Sequence, residues 1–237
     1  MQQKLVPGIV GISTFVDFVY QCQMQRAAIA KADLGGPINQ LRTVTATLDF
    51  NELIENLKAG KRQVAEEQVT AAIEILAKAG ADFVVVTSGT TSTLTGLARQ
   101  RVSLPYLDLA ESCFKPKPPQ APIGLLATSY SVAGGQFHAA AKRYGAELLV
   151  PSADTAKKVD NAIFGTLVYG ATAQFAIDIF SAAIDELIAA GAKSVILGNT
   201  DLTLVNEELV DASAVPLIDS ATAHANAAGR AAVSGEF

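Results

Sequence analysis

Short apolar runs rich in valine, isoleucine and leucine punctuate the chain at 8–12, 42–47, 83–88, 106–109, 123–128, 148–151, 195–199 and 216–219. Most lack the polar alternation of a half-exposed strand, so they predict parallel strands covered on both faces. Alanine-rich segments separate them. Over 64–79, Val64, Val69, Ala72, Ile73, Leu76 and Ala79 recur at spacings of up to five residues, which suits a helix lying on a sheet. Helices are also predicted over 91–101, 132–144, 173–190 and 220–233, with a first helix carrying Cys22 and a short one over 51–58 capped by Asp49. Strand–helix alternation of this kind predicts α/β architecture with right-handed crossovers.

The pattern occurs twice. Residues 70–110 lie on residues 181–221 without a gap, with Ile73 over Ile184, Leu76 over Leu187, Val84 over Val195, Pro105 over Pro216 and Asp108 over Asp219. Each copy reads helix, Ala-Gly-Ala turn, buried strand, small polar loop, helix, then a proline-led strand ending in aspartate. The alanine matches alone would be weak, but the shared proline and aspartate at the far end make coincidence an unsatisfactory explanation. The expected fold is therefore α/β with two pseudo-symmetric lobes, each a parallel sheet flanked by helices, and the cleft between lobes. Residues 1–114 and 215–237 form the first lobe in this reading, and residues 123–214 the second. The Pro-rich stretch 115–122 reads as a stiff linker. The strand and helix over 216–233 are expected to return to the first lobe.

Composition narrows the chemistry. The chain has 237 residues, 50% hydrophobic and 17% charged, which excludes a disordered polymer. A net charge of −5 with no concentrated basic face argues against a nucleic-acid partner. No apolar run approaches the ~20 residues of a membrane span. The start, Met1-Gln2-Gln3-Lys4, lacks an apolar signal core, so the expected location is cytoplasmic. Two cysteines and two histidines exclude a disulfide scaffold and a Cys/His-rich zinc site. Conventional nucleophiles and bases are therefore scarce.

The repeat puts two polar loops in corresponding places, 87–92 and 198–202, each after a buried strand and before a helix. Ligands of open α/β sheets bind at the carboxyl ends of strands, and helix starts favour anions. The hydroxyls of the first loop suit a carboxylate or phosphate. The plainer reading makes Thr90 and Thr200 or Asp201 ordinary helix caps, and Asp108 and Asp219 strand-end caps. His138 reads as an exposed helix residue, and Cys22 and Cys113 as inert thiols.

Seven stretches carry a wider resemblance: GIVGIS (8–13), LDF (48–50), GADFVVVTSGTTS (80–92), IGLLATSYS (123–131), ELLVP (147–151), GAKSVILGNTDL (191–202) and VPLIDSATAHA (215–225). In this order the chain resembles the Asp/Glu racemase superfamily, and within it the aspartate/glutamate racemase branch. The resemblance implies a cofactor-independent protein with its site at the lobe interface. It also implies two cysteines, one per lobe, that act as paired acid and base at the substrate's α-carbon. Here Ser88 takes the first cysteine position and Asn199 the second. Gly89 stands where an asparagine is usual, Ser92 where a histidine is common, and Ala171 where a lysine would follow Gly170. Thr90 and Thr200 are kept, Asp201 stands for a glutamate, and Thr128 matches a carboxylate-binding threonine. His224 matches a position where relatives often carry histidine.

The catalytic candidates are thus Ser88 and Asn199. The substrate-binding candidates are Thr47, Gly89, Thr90, Thr91, Thr128, Thr200 and Asp201. The resemblance implies a small amino acid or carboxylate as partner, and a homodimer. A thiol with a reference pKa near 8.5 can shuttle a proton at neutral pH; a serine hydroxyl or an amide cannot. Three readings stay open: an isomerase of amino acids, a catalytically silent carboxylate-binding homologue, and a lyase or decarboxylase on the same scaffold. Engineered replacement of the cysteines is a fourth, with Ser234-Gly235-Glu236-Phe237 as a vector remnant.

Overall fold

In the computed structural model, residues 4–32, 40–115 and 117–236 are described. Met1, Gln2 and Gln3, Pro116 of the Pro-rich stretch and the terminal Phe237 lie outside the described residues. The chain divides into two compact units, residues 1–108 with 224–237 and residues 109–223.

Unit 1 opens with β1 (Pro7–Gly11), α1 (Thr14–Ala32), β2 (Val44–Thr47), α2 (Phe50–Lys58), α3 (Arg62–Lys78) and β3 (Phe83–Val86), then α4 (Gly89–Ser92) and α5 (Gly96–Arg101). Its sheet has the order β2-β1-β3 and is parallel throughout, with Gly8 opposite both Val44 and Val84. Every residue of β1 and β3 is buried, as the unbroken apolar runs require. Asp49 caps α2, its carboxylate accepting the Glu52 N–H at 3.1 Å.

Unit 2 contains α6 (Leu109–Ser112), β4 (Ile123–Leu126), α7 (Ser129–Ala133), α8 (Gln136–Arg143), β5 (Leu148–Leu149), α9 (Ala153–Gly165) and α10 (Gln174–Ala189). It continues through β6 (Ser194–Leu197), a 3-10 turn (Thr200–Val205), α11 (Asn206–Ala212) and β7 (Leu217–Asp219). Last comes α12 (Ser220–Ser234), which belongs to unit 1 from His224 onward. The second sheet, β5-β4-β6-β7, is also parallel. One face of it packs on α9 and α10 through Ile163, Phe180, Ile184 and Leu187. The other packs on α6, the turn after it and α8 through Leu109, Phe114 and Phe137.

The repeat recurs in the elements. β3 at 83–86 matches β6 at 194–197, and α3 ending at Lys78 matches α10 ending at Ala189, all displaced by 111 residues. Several sequence expectations change, each for a local reason. The strand expected at 106–109 shrinks to one bridge, Val84 with Tyr106, because Leu109 already opens α6. The strand at 216–219 does not return to the first sheet: Leu217 pairs with Val195 in the second. Only the helix from His224 rejoins unit 1, and 109–114 joins unit 2. The helix expected over 91–101 splits into α4 and α5. There Thr93 and Thr95 hydroxyls bond back to the carbonyls of Thr90 and Ser92 and compete with helix propagation. The helix over 132–144 splits into α7 and α8 at Gly134-Gly135, where Gly135 has φ 73°.

In unit 1, α1 and α12 meet at backbone distance. A Cβ placed on Gly229 would run into the Met24 backbone carbonyl. Ala225, Ala228 and Ala232 are likewise buried beside it. In the same contact Tyr20 Oη lies 3.0 Å from His224 Nδ1, and His224 Nε2 lies 3.1 Å from the Leu107 carbonyl. A carbonyl can only accept, so Nε2 carries the proton and Nδ1 accepts from Tyr20. His224 is wholly buried, which pushes its pKa down to about 4; the Leu107 carbonyl and Asp108 oppose the shift. It is a structural histidine.

Two outcomes follow. Gly229→Ala should lower stability by about 1–3 kcal/mol, the usual cost of overpacking, read from denaturant midpoints. His224 is depressed from 6.5 to about 4, so its contribution is complete above pH 6.5. That contribution is lost as pH falls toward 4, by about 3 kcal/mol in all. Denaturation across pH 4–7 should show this slope, and His224→Gln should flatten it while lowering stability at pH 7.

Candidate functional site

Parallel strands deliver their carboxyl ends to one edge of each sheet, and the candidate residues sit on those edges. In unit 1, Ser88 follows β3 with extended backbone (φ −147°, ψ 131°), and its Oγ accepts the Thr91 N–H at 3.1 Å. The Ser92 hydroxyl closes the same turn onto the Ser88 carbonyl at 2.7 Å. Ser88, Gly89, Thr90 and Thr91 are all buried. Thr91 Oγ1 is buried without a hydrogen-bond partner among the described residues.

In unit 2, Asn199 plays the part of Ser88. It follows β6, and its Oδ1 accepts the Asp201 N–H at 3.1 Å. Thr128 follows the neighbouring strand β4 and caps α7, accepting the Ser131 N–H at 3.2 Å. Thr128, Asn199, Thr200 and Asp201 are buried together at these adjacent strand ends. Asp219, at the end of β7, accepts from the Thr203 and Thr222 hydroxyls at 2.7 and 2.6 Å and from the Ala221 N–H at 3.0 Å. The next residue, Ser220, is fully buried, and its Oγ has no partner among the described residues.

The helix caps are therefore Ser88 and Asn199, not Thr90, Thr200 or Asp201. The two side chains expected to do chemistry each spend an oxygen on a backbone N–H. His138 is exposed on α8, Cys113 is buried and Cys22 is half-buried. Among the described residues, no group of three or more His, Cys, Asp and Glu could hold a metal ion, and no helix is long and apolar enough to cross a membrane.

One residue of this edge escaped the sequence reading. Asp17, in the first turn of α1, is 7% exposed. Its carboxylate accepts the Thr87 hydroxyl at 2.7 Å and the Ile12 N–H. Burial pushes its pKa up, while those two hydrogen bonds pull it down. A Cβ on Gly11 would collide with this carboxylate and press on Thr47 Oγ1 at 3.2 Å, so glycine there leaves the carboxylate its space. Asp17 thus ties the β1–α1 turn to the residue before Ser88. Exposed Thr47 joins this cluster, not the 87–92 turn itself. In sequence, an acid in a first helical turn is unremarkable; only the strand pairing brings it to Thr87. Nearby Ser13 Oγ is also buried and unpartnered among the described residues.

Asp17→Ala should cost about 1–3 kcal/mol, because it removes the carboxylate acceptor of the buried Ile12 N–H and leaves the Thr87 hydroxyl only its 3.1 Å contact with the Val10 carbonyl. Asp17→Asn, which keeps one carbonyl oxygen, should cost less; denaturant midpoints at neutral pH measure both.

A family model described as Asp/Glu/Hydantoin racemase matches residues 22–228. The fold is shared with a candidate Asp/Glu racemase from Yersinia pestis, 26% identical with a TM-score of 0.78, covering 97% of this chain and 99% of that one. The aspartate racemase of Picrophilus torridus is 18% identical with a TM-score of 0.71, covering 97% and 94%. The glutamate racemase of Francisella tularensis, solved in complex with D-glutamate, is 10% identical with a TM-score of 0.64, covering 94% and 78%. At these lower identities the likeness concerns the fold alone. With its two parallel α/β sheets and a family match running over residues 22–228, the chain belongs to the Asp/Glu/hydantoin racemase family.

Proposed function

We propose that this chain binds a small amino acid or carboxylate through its strand-end loops, without the two-thiol proton shuttle that the family resemblance implies. In this reading Ser88 and Asn199 occupy the two cysteine positions as hydrogen-bonding groups. Thr90 and Thr91 of unit 1, with Gly89 leaving room and Thr47 at the margin, and Thr128, Thr200 and Asp201 of unit 2 are the groups offered to a ligand's polar atoms. No cofactor is needed for binding of this kind.

The observation that carries the reading is Thr91. Its hydroxyl is fully buried at a strand's carboxyl end and has no hydrogen-bond partner among the described residues. Burying an unpaired hydroxyl costs about 1–3 kcal/mol, and a carboxylate oxygen accepting that O–H would relieve the cost. Ser220 in unit 2 and Ser13 in unit 1 present the same situation. D-glutamate in the Francisella tularensis relative supports an amino acid as the ligand class.

The chemistry is limited by what Ser88 and Asn199 are. A general base works best with a pKa near the operating pH, and neither a serine hydroxyl nor an asparagine amide titrates there. Each also holds a loop N–H, which fixes the side chain but supplies no proton acceptor of the required strength.

Incubation with a panel of amino acids in deuterium oxide, followed by NMR, tests the chemistry. The expected result is a ligand that raises the thermal midpoint by mass action with no α-deuterium uptake. Ser88→Cys combined with Asn199→Cys should gain uptake if the loops retain the geometry of thiol-bearing relatives. Uptake by the unaltered protein would instead establish it as an isomerase, and no ligand in the panel would remove the binding reading. Thr91→Val should weaken a bound ligand by about tenfold, the worth of a hydrogen bond to a charged group.

A further inference from the structure

Beside the α1–α12 contact lies an open surface cavity of about 460 Å³, with Arg26, Ala30 and Lys31 exposed at it, that the strand-end loops do not share. It is lined by Arg26, Ala27, Ala30 and Lys31 of α1 and by Asn226 and Arg230 of α12. Among the described residues, three cations and an amide line it, and no carboxylate does. That is unusual in a chain with 23 acidic residues against 18 Lys and Arg.

The packing explains how it forms. Gly229 brings the two helices to backbone contact at Met24, so side chains next along each helix flank the crossing. Ala27 and Ala30 are too short to fill that space, while Arg26, Lys31 and Arg230 are long enough to surround it. Four cations of this protein pair with acids: Lys58 with Glu55, Arg62 with Glu66, Arg101 with Glu67 and Arg143 with Glu111. Among the described residues, Arg26, Lys31 and Arg230 have no ion pair. A helix-end role accounts for Lys31 in the last turn of α1, but not for Arg230, since the last turn of α12 carries no basic residue. Arg230 and Asn226 are half-buried, where guanidinium and amide donors bind anions more strongly than in open water.

We propose that this cavity is a second binding site, for a small polyvalent oxyanion. Its chemistry is that of clustered phosphate or carboxylate oxygens held between Arg26, Lys31 and Arg230, with the Asn226 amide as a neutral donor. The cavity volume suits a small metabolite, and guanidinium groups favour bidentate contact with such oxygens. This site stands independently of the amino-acid reading, since it shares no residue with the loops at 87–92 and 198–202.

Calorimetric titration of the full chain with pyrophosphate, and separately with citrate, tests it at constant ionic strength near 0.1 M. Saturable binding with one site per chain is expected. Arg230→Ala and Arg26→Ala should each weaken it by about tenfold or more, Arg230→Lys by less, and Lys78→Ala on α3 not at all. Tighter binding of pyrophosphate assigns a phosphate-bearing ligand, and tighter binding of citrate a polycarboxylate. Absent saturation overturns the proposal. So does binding undiminished in the arginine variants, or lost equally in Lys78→Ala, which would mark diffuse attraction. Ligand-free thermal midpoints confirm that the variants remain folded.

Discussion

Parallel pairing of strands buried on both faces is the constraint on which the rest of this structure depends. A parallel neighbour can be reached only by a crossover, so every strand is followed by a loop and helix that carry the chain back. That places Gly11, Thr47, Thr87 and Ser88 on one edge of the first sheet. It does the same for Thr128, Asn199 and Asp219 on the second. Backbone N–H groups at the following helix starts need acceptors, and a polar side chain shortly after a buried strand supplies one in each sheet, Ser88 after β3 and Asn199 after β6. The same residues that terminate the strands therefore compose the edge where a ligand would be held.

Unit 1 economises on side-chain volume at two crowded contacts. Gly229 admits the Met24 backbone, and the contact is locked by a buried Tyr20–His224–Leu107 chain of hydrogen bonds. Gly11 admits the Asp17 carboxylate, which in turn holds Thr87. In each case a missing Cβ allows a buried polar group to reach its partners, and those partners relieve the cost of burying it. The two contacts differ in their pH response, since burial favours neutral His224 and opposes the charged form of Asp17.

Much of the fold was legible in the chain itself. Uniform runs such as 83–86 became buried parallel strands, Asp49 became a cap, and the 111-residue offset reappeared in helices and strands alike. Less legible were breaks made by side chains bonding back to the backbone, as at Thr93 and Thr95, and the allegiance of segments 109–114 and 216–223. The repeat shows that two segments are equivalent; it cannot show which core each one covers. Asp17 was missed because its role depends on Thr87, 70 residues away.

Local pattern by itself determined most of the buried strands, the main helices and the family, because apolar periodicity and short loop motifs are properties of neighbouring residues. It also determined that no thiol stands at 88 or 199. Tertiary structure alone decided that Ser88 and Asn199 are the capping residues, that Thr91 and Ser220 are buried hydroxyls, and that β7 completes the second sheet. It alone gathered Arg26, Lys31 and Arg230 around one cavity. Those outcomes depend on which distant segments share a core, and burial and hydrogen-bond satisfaction are settled only when those segments pack.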